Sequence, residues 1–302
     1  MEINNYLKKI YIPKPGSHKG QNGRLLIIGG SQLFHAASLW ALKVASRIVD
    51  LVHYSSVNEN NKIVQRLKEE FRDGIVVSRP EVEEYIGEDD CILIGPGMVR
   101  AEDESRIKSH ESRIKNIKDI EEINDEGMQT YLLTKYLLKK YSGKKWVIDA
   151  GALQMIDPEW IPKNAILTPH HKEYENLKSK IQNPNDKSNP KFKDQKEEVK
   201  YLAKKYKCVI LLKGEEDLIA SGDNFEIIKG GNAGMTKGGT GDVLTGLVAG
   251  LFCKNDAFTS AVSGSYINKK AGEDLYKKNG LWFNASDLAD QIPRTMKKLF
   301  LS

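Results

Sequence analysis

The chain is 302 residues long and carries 46 Lys and Arg against 41 Asp and Glu, a net charge of +5. This excess is spread along the sequence and forms no basic patch interleaved with aromatics, so no nucleic-acid partner is expected. No run of about 18 apolar residues occurs, so no membrane segment is expected either.

The opening stretch MEINNYLKKIYIPKP has no apolar core of signal-peptide length. Cys91, Cys208 and Cys253 are odd in number, far apart and set in or beside apolar runs, which reads as reduced, buried thiols rather than a zinc site or a disulfide framework. A cytoplasmic protein is expected, built as one α/β domain over residues 1–302. A strand is predicted over Leu25–Ile28, followed by a helix whose apolar positions Ala37, Trp40, Ala41, Val44, Ala45 and Ile48 share one face. Further strands are predicted at Leu51–Tyr54, Ile75–Val77 and Cys91–Ile94. Residues 101–127 are dominated by charge, and the thin stripe of Ile107, Ile114, Ile117 and Ile120 predicts a solvated helical excursion. A helix at Tyr131–Tyr141, strands at Trp146–Ile148 and Ala165–Leu167, and a polar loop over 178–196 come next. The helix Glu197–Tyr206 precedes a strand at Cys208–Leu212, after which Leu218–Ala220 and Phe225–Ile228 read as a β-hairpin about Ser221, Gly222 and Asp223. Helices at Val243–Phe252, Ala257–Asp274 and Ala285–Lys298 close the chain.

Five of the strands finish in small or polar residues: Gly29-Gly30-Ser31, Gly95-Pro96-Gly97, Asp149, Thr168-Pro169-His170 and Lys213-Gly214. In a mostly parallel sheet these ends share one edge, which is where ligands bind. The stretch Gly230–Gly246, GGNAGMTKGGTGDVLTG, completes that edge as a glycine turn feeding a helix N-terminus. Such a terminus has unpaired N–H groups and a partial positive charge, so the amides of Gly239, Thr240 and Gly241 form a candidate phosphate cradle. Asp242 beside them is a candidate proton acceptor; the same residue also suits a plain helix start, and the residues alone leave both readings open. GxxxxGK[ST] is absent, and GxGxxG from Gly239 meets Leu244 where its third glycine belongs.

The segments HKGQNGRLLIIGGS, ILIGPGM, VIDAGAL, ILTPHHKEYENL, VILLKG and NAGMTKGGTGDVLTGLVAGL, in this order, resemble the NAD(P)H-hydrate dehydratase family, a branch of the ribokinase-like superfamily, from about His18 to Pro293. The resemblance implies a three-layer α/β/α fold on a central, mostly parallel sheet. It implies an enzyme that uses ADP or ATP, with Mg²⁺, to return hydrated NADH or NADPH to the intact cofactor. Carried over by position, Asp242 is the catalytic base. Lys213, Gly214, Glu215, Glu216, Asp217 and Gly241 line the nucleotide site, and Ala37, Gly97, His170 and Asp242 touch the hydrated dinucleotide. Glu173 helps to hold the magnesium ion through water. Partners are the hydrate and an adenine nucleotide, a homo-oligomer is expected, and the epimerase domain of longer relatives is not. A small-molecule kinase of the same superfamily and a nucleotide-binding module without catalysis are the alternatives. The chain departs from the family at Ala36-Ala37, where Gly-Ala is usual, and at Gly151, where a second acidic residue is usual in the VIDAxAL segment.

Overall fold

In the computed structural model, which describes residues 3–101, 111–181 and 190–301, the apolar runs become strands of one sheet. These are β1 (Arg24–Ile28), β2 (Leu51–Ser55), β3 (Ile75–Val76), β4 (Cys91–Ile94), β5 (Lys145–Ile148), β6 (Ile166–Leu167), β7 (Val209–Leu212), β8 (Asp217–Ser221) and β9 (Asn224–Ile228). Their order is β3-β2-β1-β4-β5-β6-β7-β8-β9. The pairs from β3 through β7 are parallel, and the β8–β9 hairpin adds two antiparallel strands at one end. Leu25 to Ile28 and Cys91 to Ile94 are fully buried, as strands covered on both faces must be, and this is why they read as unbroken apolar runs.

The helices are α1 (Asn4–Leu7), α2 (Ala36–Ala45), α3 (Asn58–Arg66), α4 (Val82–Glu88), α5 (Ile117–Glu121), α6 (Glu126–Lys140), α7 (Ala150–Met155), α8 (His171–Ile181), α9 (Gln195–Tyr206), α10 (Thr240–Lys254), α11 (Ala257–Asn279) and α12 (Ala285–Phe300). Alternate strand residues sort them into layers. Leu26, Ile28, Ile92, Ile94, Trp146 and Ile148 point into a core closed by α4 to α9. Leu25, Ile27, Leu93 and Val147 point the other way, against Ala41 and Leu42 of α2, Leu244, Val248 and Phe252 of α10, and Val262 of α11. The outer side of α10, through Val243, Leu247 and Leu251, then packs on Leu288 and Ile292 of α12.

The sequence order of strands reverses between β1 and β4, so the C-terminal ends of these two neighbours open a crevice at a switch point. One expectation is corrected. Ile117 and Ile120 are buried in the core rather than solvated, because Asn116 starts α5 with a reciprocal capping box to Asp119 and turns that stripe inward. Ile114 is partly buried against the same core, and Ile107 lies outside the described residues. The polar tract gives up its ends to α8 and α9, with 182–189 outside the described residues. Among the described residues no helix is long and apolar enough to cross a membrane.

Candidate active site

The glycine turn is shaped by what surrounds it. Gly239 has φ +93°, and a Cβ there would overlap the Trp40 ring and come within 2.7 Å of the Ala285 Cβ. Only glycine lets the chain pass between α2 and α12 and begin α10 at that point. Trp40 is itself fixed, donating from Nε1 to the Ser286 hydroxyl at 3.0 Å. The Thr240 hydroxyl bonds back to the Met235 carbonyl at 2.6 Å, which holds the turn. About two turns on, a Cβ on Gly246 would stand 2.6 Å from the Ala41 backbone, so α10 and α2 touch main chain to main chain. The first amides of α10 therefore have a fixed address, and a helix leaves these without intrahelical acceptors.

Behind the turn lies a buried charge network that sequence reading missed as a site. Asp149, at the end of β5 and 2% exposed, accepts from Lys213 Nζ at 2.9 Å, Thr168 Oγ1 at 2.9 Å and Thr245 Oγ1 at 2.8 Å. It ties the ends of β5, β6 and β7 to α10. Ala150, next in the chain, has φ +42°, a left-handed conformation that costs an alanine energy. Gly151 follows from the packing: a Cβ there would overlap the Met98 carbonyl, so the acidic residue usual in the family has no room at this position.

Asp242 is half-buried in the first turn of α10, and its carboxyl is raised from the ordinary value to about 7. Burial is the main cause; the charges of Asp149 and Glu173 add to it, and Lys213 opposes them. Among the described residues no other residue donates a hydrogen bond to this carboxylate. For Lys213 burial works against the charge, but Asp149, Glu173 and Asp242 together hold its ammonium above the ordinary lysine value. A carboxyl that titrates near neutrality, beside a cation and a helix N-terminus, can take up and release a proton near neutral pH.

Glu173 is buried, 4% exposed, and so is not a solvated first-turn residue. It and His170 cap α8 reciprocally: His170 N donates to Glu173 Oε2 at 2.9 Å, and Glu173 N donates to His170 Nδ1 at 3.2 Å. Gln154 donates to Glu173 Oε1 at 3.2 Å. The His170 ring is exposed.

A cavity of about 830 Å³ opens in front of the turn. Lys213, Gly214, Glu215, Glu216, Asp217 and Gly241 all line it, as do Thr240 and His170. Its hairpin side is braced by Asp217, which accepts from Gly214 N at 2.9 Å and the Ser265 hydroxyl at 2.7 Å and pairs with Lys269 at 3.4 Å. Lys269 also donates to the carbonyls of Gly214 and Glu215 at 3.0 and 2.9 Å. Lys269 and Asn268, both buried, line the cavity and were not legible in sequence; the Asn268 Oδ1 has no partner. Gly239 stands behind the cradle rather than in the cavity wall, and Asp242 sits one residue beyond it. Ala37 and Gly97 are elsewhere, pressed together at the β1–β4 switch point, where a Cβ on Gly97 would lie 3.0 Å from that of Ala37. Among the described residues no three His, Cys, Asp or Glu side chains cluster to hold a metal.

This layered sheet with a glycine turn over its C-terminal edge defines a ribokinase-like α/β protein. The crystal structure of a ribokinase-like superfamily protein from Enterococcus faecalis superimposes with a TM-score of 0.74 at 20% identity, covering 98% of this chain and 94% of that one. That of the ADP/ATP-dependent NAD(P)H-hydrate dehydratase from Bacillus subtilis, co-crystallised with ATP and Mg²⁺, gives 0.72 at 21% identity, covering 99% and 97%. The sequence profile of the NAD(P)H-hydrate dehydratase family matches residues 25–294. The ADP-dependent (S)-NAD(P)H-hydrate dehydratase of Nitrosopumilus maritimus is 31% identical over 96% of this chain and 95% of its own length. The bifunctional NAD(P)H-hydrate repair enzyme of Methanocaldococcus jannaschii is 34% identical over 96% of this chain but 51% of its own. With that enzyme and two similar archaeal ones, the chain spans about half the length of the curated relatives it matches. The chain belongs to the NAD(P)H-hydrate dehydratase family.

Proposed function

We propose that this chain is a hydro-lyase that repairs hydrated NADH or NADPH at the cost of an adenine nucleotide, ADP or ATP. The observation that carries the reading is Asp242: a carboxyl raised to about 7, at the mouth of a glycine cradle, in a chain of this family. Asp242 takes the proton of the ring hydroxyl as that oxygen attacks the terminal phosphorus of the nucleotide. The new O–P bond forms as the old bridging bond breaks and the shortened nucleotide leaves. The ring-nitrogen electron pair then expels inorganic phosphate, and loss of a proton from the adjacent carbon restores the dihydropyridine. The amides of Thr240 and Gly241, at the start set by Gly239, hold the phosphoryl charge, and Lys213 adds a fixed cation.

Lys213, Gly214, Glu215, Glu216 and Asp217 bound the nucleotide side, while Ala37, Gly97 and His170 bound the dinucleotide side. The carboxylates of Asp149, Glu173 and Asp242 stand about Lys213, and Glu173 would hold a magnesium ion through water; among the described residues no three His, Cys, Asp or Glu side chains form a cage for a bare ion. Bound there, the ion neutralises phosphoryl charge. A single α/β domain working as a homo-oligomer in the cytoplasm completes the reading, and the free, buried thiols of Cys91, Cys208 and Cys253 are in keeping with a reducing compartment.

The test is direct. Purified protein given Mg²⁺, nucleotide and hydrated NADH is expected to restore reduced-nicotinamide absorbance with phosphate released in step. Accumulation of a stable phosphorylated alcohol replaces this reading with a kinase, and nucleotide binding without turnover replaces it with a binding module.

A further inference from the structure

Arg79 follows β3 and is 3% exposed, yet its guanidinium has no carboxylate at ion-pair distance among the described residues. Among the described residues its one side-chain hydrogen bond runs from a terminal nitrogen to the neutral Gln129 Oε1 at 3.2 Å, and Nε has no partner. Buried charges are ordinarily paired, because an uncompensated one forfeits its hydration for nothing. Arg79 lines a cavity of about 210 Å³. Glu59, exposed, and Glu121, part-exposed, stand around it, while Glu126 Oε1 is already engaged by the Gln32 amide at 3.0 Å.

The position is informative. This cavity lies past the C-terminal ends of β1, β2 and β3, on the same sheet edge as the glycine cradle but beyond the switch point from it. A closed seam too tight for a water molecule shares Arg79, Gln129 and Glu126 with it and runs past Gly30, Ser31 and Met98, beside the Gly97–Ala37 contact. The buried guanidinium calls for an anion, and the carboxylates around the opening call for hydroxyl donors, as acidic residues do for the ribose of a dinucleotide. A sugar phosphate satisfies both.

We propose that the Arg79 cavity binds a ribose-linked phosphate of the dinucleotide substrate, so that the hydrated ring reaches Asp242 while the far half of the molecule is held across the switch point. This rests on the reading of the hydrate as substrate. The test is Arg79→Gln in the full chain, measuring KM for hydrated NADH and hydrated NADPH at saturating adenine nucleotide, with fluorescence titration of intact NADH and NADPH alongside. KM and Kd are expected to rise about 10- to 100-fold, the range for a charge-assisted hydrogen bond, with kcat within about twofold and adenine-nucleotide affinity unchanged. A loss shared by both dinucleotides assigns Arg79 to the pyrophosphate, and a loss confined to the NADPH forms assigns it to the 2′-phosphate. Unchanged KM and Kd for both overturn the proposal. Arg79→Lys keeps a charge without the planar fork and is expected to fall between; should the Gln variant not fold, a Lys variant with parental KM for both hydrates overturns it equally. If the parent turns over no hydrate, the proposed activity fails, while the NADH and NADPH titrations still decide the Arg79 site.

Discussion

On the hairpin side of the large cavity, the Asp217 carboxylate receives the Gly214 amide, the Ser265 hydroxyl and the Lys269 ammonium. On the glycine-turn side, the Asp242 carboxylate receives no hydrogen bond from another described residue and faces two further carboxylates. Asp217 opens β8 and Asp242 lies in the first turn of α10, each a few residues after a glycine, and in sequence they look alike. The difference is one of satisfaction: a buried carboxylate with its donors in place fixes a loop, whereas one set among like charges is held ready to bind a proton.

The largest effect that sharpens this contrast is expected from Asp242→Asn. It keeps size and most helix-start bonding but cannot accept a proton, so turnover should fall about 10²- to 10⁴-fold with nucleotide affinity nearly kept. Stability should move the other way. The folded-state carboxyl titrates at about 7, above the ordinary value of the unfolded chain, so ionising it burdens the folded state increasingly between about pH 4 and 7 and fully above. The Asn variant is therefore expected to melt higher than the parent at about pH 8, with the margin closing toward about pH 4; thermal melts at both ends check it. Full turnover in the variant would make Asp242 architecture, like Asp217.

Asp217→Ala tests the other side. It strips a buried ammonium of the one carboxylate it pairs with among the described residues and frees the Gly214–Glu216 loop, so a loss of about 3 kcal/mol in urea unfolding is expected, with weaker nucleotide binding. A variant of unchanged stability would mean that the Asp217 bonds do not hold the wall. Asp149→Asn is read in the pH profile, where the expected change is the smallest of the three and the most specific. Removing one of the charges that raise Asp242 should move the acid limb of kcat/KM to lower pH, though not to that of a free carboxyl, because burial is the larger cause and stays. A limb that does not move would assign the titration to another group.

The strands, the hairpin and the start of α10 were legible because each is written in local residues: unbroken apolar runs, a Ser-Gly-Asp turn, glycines before a helical stripe. The helices α3 and α4 were not, since Asn58–Arg66 is nearly all polar and packs through Asn60, Asn61 and Val64. The candidate site divided in the same way. The cradle and Lys213 stood out by position after strands. The partners of Asp149 did not, because Thr168, Lys213 and Thr245 lie 19, 64 and 96 residues away and only the fold brings their side chains to one carboxylate. Lys269, Asn268 and Arg79 look like ordinary helix and loop residues until burial shows that water does not solvate them.

The helix that supplies the cradle also roofs the sheet: Leu244, Val248 and Phe252 cover Leu25, Ile27, Leu93 and Val147. The covered strands are made early in synthesis and their roof late. A ribosome-bound chain that has already paired β1 with β2 and β4 therefore shows an apolar face to solvent until the residues of α10 emerge, and the 239 residues before Thr240 must wait for one helix. The segment that forms the cradle thus arrives late, followed only by α11 and α12, so truncated products ending before Thr240 should be aggregation-prone as well as inactive.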